Sequence, residues 1–516
     1  MTHLISGARR LALTDMVARA QQAATGFERL GISAGDRVIL YLRNDFAFFD
    51  ASRALGALGA YPVPLNWHAS LDEAQYIFQD SGAKAAVVHA DFWALARQAA
   101  PSDLPMFAVE TPPEIAAAYH VPPDLCGTPQ GAASWDAFVA DHPPRPVVAG
   151  DPPGAMIYTS GTTGRPKGVR RKPPSPAQFA AGLRLSAGAM GFYPQIIEGS
   201  TTPAVTVMTG PMYHSAPFGY ASLAVRAGAE IHLQPRFDPE ELLQMIERHR
   251  VTNLHMVPTM FVRLLRLPPE VRGRYDLTSL RSVTHGAAPC PPDVKRAMIT
   301  WWGPVIEEYY GATETGAVVH CTSTEWLAHP GSVGKAQADV KLLILDDEGR
   351  PCPTGVAGEV FVRLTTGGDF TYHGDDAKRA KAERDGLITA GDIGYLDTDG
   401  FLYLCDRRNH MVISGGVNIY PAEIEHCLLA MPGVADCAVF GIPDDEFGEA
   451  LCAYIQSQPG QTLTAAQVRA YAAQHLAKFK VPKVVEFLPE LPREDSGKIF
   501  KRKLRDPYWA GRERRI

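Results

Sequence analysis

The chain reads as an α/β protein. A large N-terminal domain of two wound α/β subdomains carries a small β-barrel-like part, and a small α+β lid domain follows. Three observations predict this. Short β runs alternate with amphipathic helices over the first four-fifths of the sequence, the pattern of parallel strands joined by crossover helices. The period then changes over residues 340–364, where Asp346-Asp347-Glu348-Gly349 separates two β-rich runs, as in a hairpin or small barrel. After Asp406 a block of about a hundred residues mixes strands and helices, enough for a separate domain.

Taken in order, residues 37–42 and 83–89 are apolar strands. Between them Ser70-Leu71-Asp72-Glu73 has the spacing of a capping box that opens a helix through Phe78. Residues 101–153 are rich in proline with weak periodicity and read as an irregular connection. Residues 230–234 form the next strand. Asp238-Pro239-Glu240-Glu241 caps a helix to His249, and residues 251–257 are again β-like. One α/β block precedes the segment at 158–169 and one follows it, as two subdomains packed face to face. In the last block, residues 438–442 and 450–455 are strands, and Thr464 caps a helix to Leu476.

Composition narrows the class. At 516 residues the chain exceeds one compact core. Its net charge of −6, with a basic run only near Arg512, argues against a nucleic-acid partner. No stretch approaches the roughly 18 apolar residues of a membrane span, and the first ten residues lack a signal peptide's apolar core. Eight cysteines without a Cys-x-x-Cys pair suit reduced thiols and offer no metal site. The expectation is a cytoplasmic enzyme with small-molecule partners and no transmembrane segment; a homodimer stays open.

Residues 158–169 read Tyr-Thr-Ser-Gly-Thr-Thr-Gly-Arg-Pro-Lys-Gly-Val. Gly161, Gly164 and Gly168 allow close backbone approach. Thr159, Ser160, Thr162 and Thr163 supply hydroxyls, and Arg165 and Lys167 supply positive charge. Donors, close backbone and positive charge suit a loop that wraps phosphate oxygens. It is not a Walker loop, because no Gly-Lys-Ser/Thr follows four residues after a glycine.

This loop resembles the phosphate-binding signature of the adenylate-forming superfamily, which includes acyl-CoA synthetases, luciferases and peptide-synthetase adenylation domains. Further matches follow in that superfamily's order: Tyr309-Tyr310-Gly311-Ala312-Thr313-Glu314, Thr389-Ala390-Gly391-Asp392, Asp406-Arg407, Gly415-Gly416-Val417-Asn418-Ile419-Tyr420-Pro421 and Pro492-Arg493-Glu494-Asp495-Ser496-Gly497-Lys498. The resemblance covers nearly the whole chain. It implies ATP, Mg²⁺ and coenzyme A as cofactors or co-substrates, and a small carboxylic acid as substrate.

The roles it implies are specific. The loop from Thr159 to Lys167 holds the β- and γ-phosphates of ATP. Glu314 is the metal ligand, a hard oxygen suited to Mg²⁺, and Thr313 lies near the α-phosphate. Asp392 and Arg407 hold the ribose. Gly286, Ala287 and Ala288 lie along the adenine, with Tyr310 stacked on it and Tyr309 and Gly311 beside it. Lys498 bridges the attacking carboxylate and the α-phosphate, as a flexible ammonium can. His214 sits where acyl and CoA channels meet and positions substrate; its bland alternative is a packed histidine at a strand end. Phe218, Thr284 and His285 line the acyl pocket with His214 and Gly286. Gly415 and Gly416 belong to a loop that admits the pantetheine thiol after the C-terminal domain turns.

The expected division is 1–406 and 407–516, with a hinge near Asn409. The superfamily usually has Asp or Lys at that hinge, so its charge contacts do not carry over; asparagine still tolerates left-handed φ. No carrier-like segment follows Lys498, and residues 414–423 have the acyl-CoA synthetase form. Residues 287–295 and 301–304 are similar to bacterial ligases for fatty, aromatic and steroid side-chain acids. The expected activity is therefore an AMP- and pyrophosphate-forming carboxylic acid–CoA ligase. The alternatives are transfer to a carrier protein, a luciferase-like oxygenase and a degenerate nucleotide-binding regulator. The regulator is disfavoured because Lys167, Glu314 and Lys498 are all present. A metal-dependent hydrolase is disfavoured because no His/Asp cluster has ligand spacing.

Overall fold

A computed structural model describes residues 2–146, 154–159, 166–364, 369–408, 410–414, 417–493 and 499–510. The first sheet is parallel throughout, in the order Tyr61–Pro64, Arg37–Tyr41, Ala85–His89, Met106–Val109, Ala133–Ser134. Its second and third strands are those expected. The expected helix runs Leu71–Ser81, three residues beyond Phe78, and stops at Gly82 in left-handed geometry. The Ser70 hydroxyl accepts from the Glu73 amide, and the Glu73 carboxylate accepts from the Ser70 amide.

Residues 101–153 correct an expectation. They contain two strands of this sheet and the helices Pro113–Tyr119 and Trp135–Ala140. A parallel strand covered on both faces shows no alternation, and Met106–Val109 is buried along its whole length. Proline at the start of a helix is compatible with it, as at Pro113.

The second sheet has nine strands. Its parallel centre comprises Glu230–Leu233, Val205–Met208, Asn253–Met256, Ser282–His285 and Ile306–Ala312. The first residues of the chain also belong here: His3–Ser6 lies parallel to Glu230–Leu233, and Arg9–Ala12 folds back as the edge. One apolar core holds Phe27, Phe48 and Trp135 together with Met208, Tyr220 and Ile231. The two wound blocks therefore pack face to face.

Val340–Leu345, Gly358–Leu364, Leu387–Leu396 and Leu402–Arg407 form an antiparallel sheet, the barrel-like part. A smaller sheet follows, built on the long pair Val434–Asp444 and Gly448–Ser457, with Val484–Phe487 parallel to the second. It has its own core around Val412, Ile424, Val439 and Val468. The helix Ala465–His475 is capped by Thr464, as expected. Among the described residues no helix is long and apolar enough to cross a membrane.

Candidate active site

The expected phosphate loop is flanked by an antiparallel pair, Ile157–Thr159 and Lys167–Arg171, with Thr159 opposite Lys167. Ser160, Gly161, Thr162, Thr163 and Gly164 lie outside the described residues. Gly168 faces Tyr158 and Met156 so closely that an added Cβ would lie 3.2 Å from the tyrosine ring. Phe370–Tyr372 joins Lys167–Arg171 as a third strand. This brings Asp375 to 3.4 Å from the Lys167 ammonium.

That third strand also builds the surroundings of Glu314. The Tyr372 hydroxyl donates to Glu314 at 2.9 Å, and Lys378 lies 4.3 Å from the Tyr372 ring centre. Arg171 donates to the Thr313 carbonyl at 3.1 Å, and the Thr313 and Ser215 hydroxyls are 3.0 Å apart. Burial lowers the pKa of both Arg171 and Lys378, while the Glu314 charge opposes the shift in each. Arg171, Tyr372 and Lys378 were not anticipated. No local motif marks them, because the pairing of Phe370–Tyr372 with Lys167–Arg171 and the helix Asp376–Lys381 that follows put them beside Glu314. Gly311 has no room for a side chain, since a Cβ would collide with the Gly316 carbonyl.

Two residues before Gly311 the strand Ile306–Ala312 changes surroundings. The Tyr309 hydroxyl is 3.0 Å from His255 Nε2, and a Cβ on Gly286 would lie 2.7 Å from the Tyr309 ring. Burial pulls His255 down to about 4, so its imidazole is neutral. Tyr310 donates to Asp392 at 2.7 Å, and the Arg407 guanidinium lies 3.2 Å from the other Asp392 oxygen. Asp392 and Arg407 face each other in register on neighbouring strands. Burial and the Asp392 charge hold the Tyr310 phenol well above its ordinary range, which keeps it a donor. Ala287 has φ of 67°, unusual without glycine. It lines the cleft with Ala288, Tyr310, Asp392 and Arg407.

Thr284 and His285, expected in the acyl pocket, are fully buried in their strand. His285 points instead toward a dry ion pair, 3.7 Å from Glu308, which accepts from Lys295 at 2.6 Å. That pair was also not anticipated. His214 immediately precedes the helix Ser215–Arg226, makes no capping hydrogen bond with its side chain, and lies with Phe218 on a cleft of about 1650 Å³. Thr159, Ala288, Thr313, Glu314 and Arg407 line the same cleft. Lys498, Gly415, Gly416 and Asn409 lie outside the described residues. Arg493 and Phe500, on either side of the Lys498 segment, both line this cleft.

The sequence matches the family described as AMP-binding enzyme over residues 1–366, and the AMP-binding enzyme C-terminal domain over 423–498. The chain belongs to the AMP-binding, adenylate-forming enzymes. It is 32% identical to a feruloyl-CoA synthase of an Amycolatopsis species, covering 97% of this chain and 94% of the relative. It is 29% identical to the fatty acid–[acyl-carrier-protein] ligase ScoC of Streptomyces coeruleorubidus, covering 98% and 93%. The amide bond synthetase McbA of Marinactinospora thermotolerans has the same fold, with a TM-score of 0.82 at 25% identity over 98% and 96% of the two chains. These adenylate-forming relatives are named for three different acyl acceptors.

Proposed function

We propose that this adenylate-forming enzyme is a carboxylic acid–CoA ligase that releases AMP and pyrophosphate, acting on a fatty or bulky hydrophobic acid. The observation that carries the reading is the convergence of Thr159, Thr313, Glu314, Ala288 and Arg407 on one cleft. A carboxylate is a poor acyl donor because its leaving group would be an oxide. Joining it to AMP solves that problem but brings two anions together, so the site must supply positive charge where charge develops.

In this reading Lys167, Arg171 and Lys378 provide cationic surroundings for the phosphates. Lys498 joins the attacking carboxylate to the α-phosphate. Asp392, oriented by Tyr310 and Arg407, accepts from the ribose hydroxyls. Glu314 fits Mg²⁺: Tyr372 orients one of its oxygens, and Mg²⁺ commonly uses one or two protein carboxylates together with phosphates and water. When bound, the ion supplies neutralisation of phosphate charge. His214 and Phe218 border the reacting end of the acyl group. Met190, Leu183 and Met260 give the cleft an apolar wall, which supports a hydrophobic acid. The division at 406/407, the hinge near Asn409 and the thiol-admitting role of Gly415 and Gly416 complete the proposal.

The test separates the half-reactions. Acid-dependent exchange of labelled pyrophosphate into ATP is expected without CoA. Lys498→Ala should lose it by about a thousandfold, yet still form thioester from a synthetic acyl-adenylate and CoA. A bulky residue at Gly416 should give the reverse pattern. ADP as product, or equal loss of both steps in both variants, overturns the proposal. Transfer from the adenylate to a carrier protein but not to CoA would reassign the acceptor alone.

A further inference from the structure

The cleft continues past His214 between the helices Pro176–Ala189 and Ser215–Arg226, with Phe46–Ala57 as a third wall. Gly182 and Gly219 line it, and a Cβ at either would meet nothing within 4 Å. The passage is open at both glycines. Arg53 and Arg226 line it too; both are exposed, and Arg226 ends the helix whose first residue, Ser215, meets Thr313.

Among the described residues neither arginine has an acidic partner, as is also true of Arg184 on the Pro176–Ala189 helix, which donates to the Tyr193 hydroxyl. The one carboxylate of the helix Phe46–Ala57 and that of its N-cap residue are already engaged: Asp50 pairs with Arg19 at 2.7 Å, and Asp45 with Arg9 at 2.6 Å. The helices Pro176–Ala189 and Ser215–Arg226 contain no Asp or Glu. Among the described residues neither Arg53 nor Arg226 has an ion pair, although Arg9, Arg19, Arg43, Arg250, Arg379 and Arg408 all do. Arg226 is held in place by Phe179, whose ring centre is 5.1 Å from the guanidinium carbon. Partial burial and the Arg226 charge both lower the Arg53 pKa, with no opposing carboxylate. Both side chains are nonetheless exposed and screened by water while the passage is empty. Their guanidinium forks, free of carboxylates among the described residues, fit one in bidentate fashion.

We propose that the acid activated by this chain carries a second anionic group at the end remote from the reacting carboxylate, and that Arg53 and Arg226 receive it. This rests on the ligase reading and names its substrate class: a bulky or extended hydrophobic acid with an ionised far end. The reacting carboxylate goes to the Thr313–Glu314 end, and the distal anion sets the register along the passage.

The test uses matched acids of one skeleton, with and without a terminal carboxylate, in pyrophosphate exchange without CoA. The wild type should favour the doubly acidic member by about tenfold or more in kcat/KM, as a charge-assisted contact gives. The preference should lie mainly in KM, because the contact is remote from the reacting atoms. In Arg53→Met/Arg226→Met the ratio between the two acids should fall toward one. A ratio within one preparation does not depend on the fraction folded. Exchange that favours the singly acidic member, or a ratio unchanged in the variant, overturns the proposal and leaves the ligase reading standing. An unchanged ratio with a raised KM for CoA would give the arginines to the phosphates of the acceptor and also overturn it. No exchange with any acid would overturn both.

Discussion

Two ion pairs are organised around the strand Ile306–Ala312, and they differ in water access. Glu308 pairs with Lys295, and the side chains are 6% and 0% exposed. Two residues on, Tyr310 donates to Asp392, whose partner Arg407 is 47% exposed. The first pair ties the strand to the helix Pro292–Trp302, which follows the 286–291 turn. The second is open to the cleft and can exchange partners with a ligand. Burial pushes the Glu308 carboxyl up while Lys295 holds it back. A dry pair of this kind stabilises little over apolar residues but is costly to break. We therefore assign the dry pair to holding the walls together and the wet pair to ligand contact.

The comparison breaks most visibly at Lys295. Lys295→Met leaves a carboxylate buried without its partner, and should destabilise the N-terminal domain by about 3–5 kcal/mol. Calorimetry should show the deficit shrinking as pH falls. A carboxyl whose folded pKa is raised binds its proton more tightly when folded, so its contribution is favourable at low pH and lost as pH rises. Pairing the change with Glu308→Leu should recover most of the loss. A deficit of the same size in the double variant would contradict the assignment.

His255, the dry neighbour of Tyr309, gives the next largest effect. Its folded pKa lies near 4 because of burial, below the ordinary value of about 6.5. The unfolded chain therefore binds the proton first as pH drops from about 6.5 to 4. The stability contributed by the neutral imidazole is present above that window and falls by about 3 kcal/mol across it. His255→Asn should flatten this part of the stability–pH curve. An unchanged slope would place the titration elsewhere.

The smallest change is expected on the wet side. Asp392→Asn should leave the unfolding temperature near its starting value, because the amide oxygen can still accept from Tyr310 and the Arg407 partner is already exposed to water. KM for ATP in pyrophosphate exchange should rise by about tenfold, the weight of one charge-assisted contact. A large loss of stability without an effect on ATP would reverse the roles of the two pairs.

The caps at Ser70, Asp238 and Thr464 formed where expected, as did the strands Arg37–Tyr41, Ala85–His89, Glu230–Leu233 and Asn253–Met256. These signals act over a few residues, so one stretch of sequence contains them whole. The order of the motifs was legible for the same reason, and the family match agrees with it. The segment 101–153 was not, because a parallel strand covered on both sides loses the alternation that betrays strands.

Only the assembled fold could bring Tyr372, Lys378 and Arg171 to Glu314, or Lys295 to Glu308. It also carried the first strand of the chain across to the second sheet, beside Glu230–Leu233. Local preferences are written in neighbouring residues. Which strand pairs with which, and which charges meet away from water, depends on how apolar surfaces distant in sequence bury one another. The motif residues were therefore readable from the chain alone, whereas the groups that orient and neutralise them became visible only after folding.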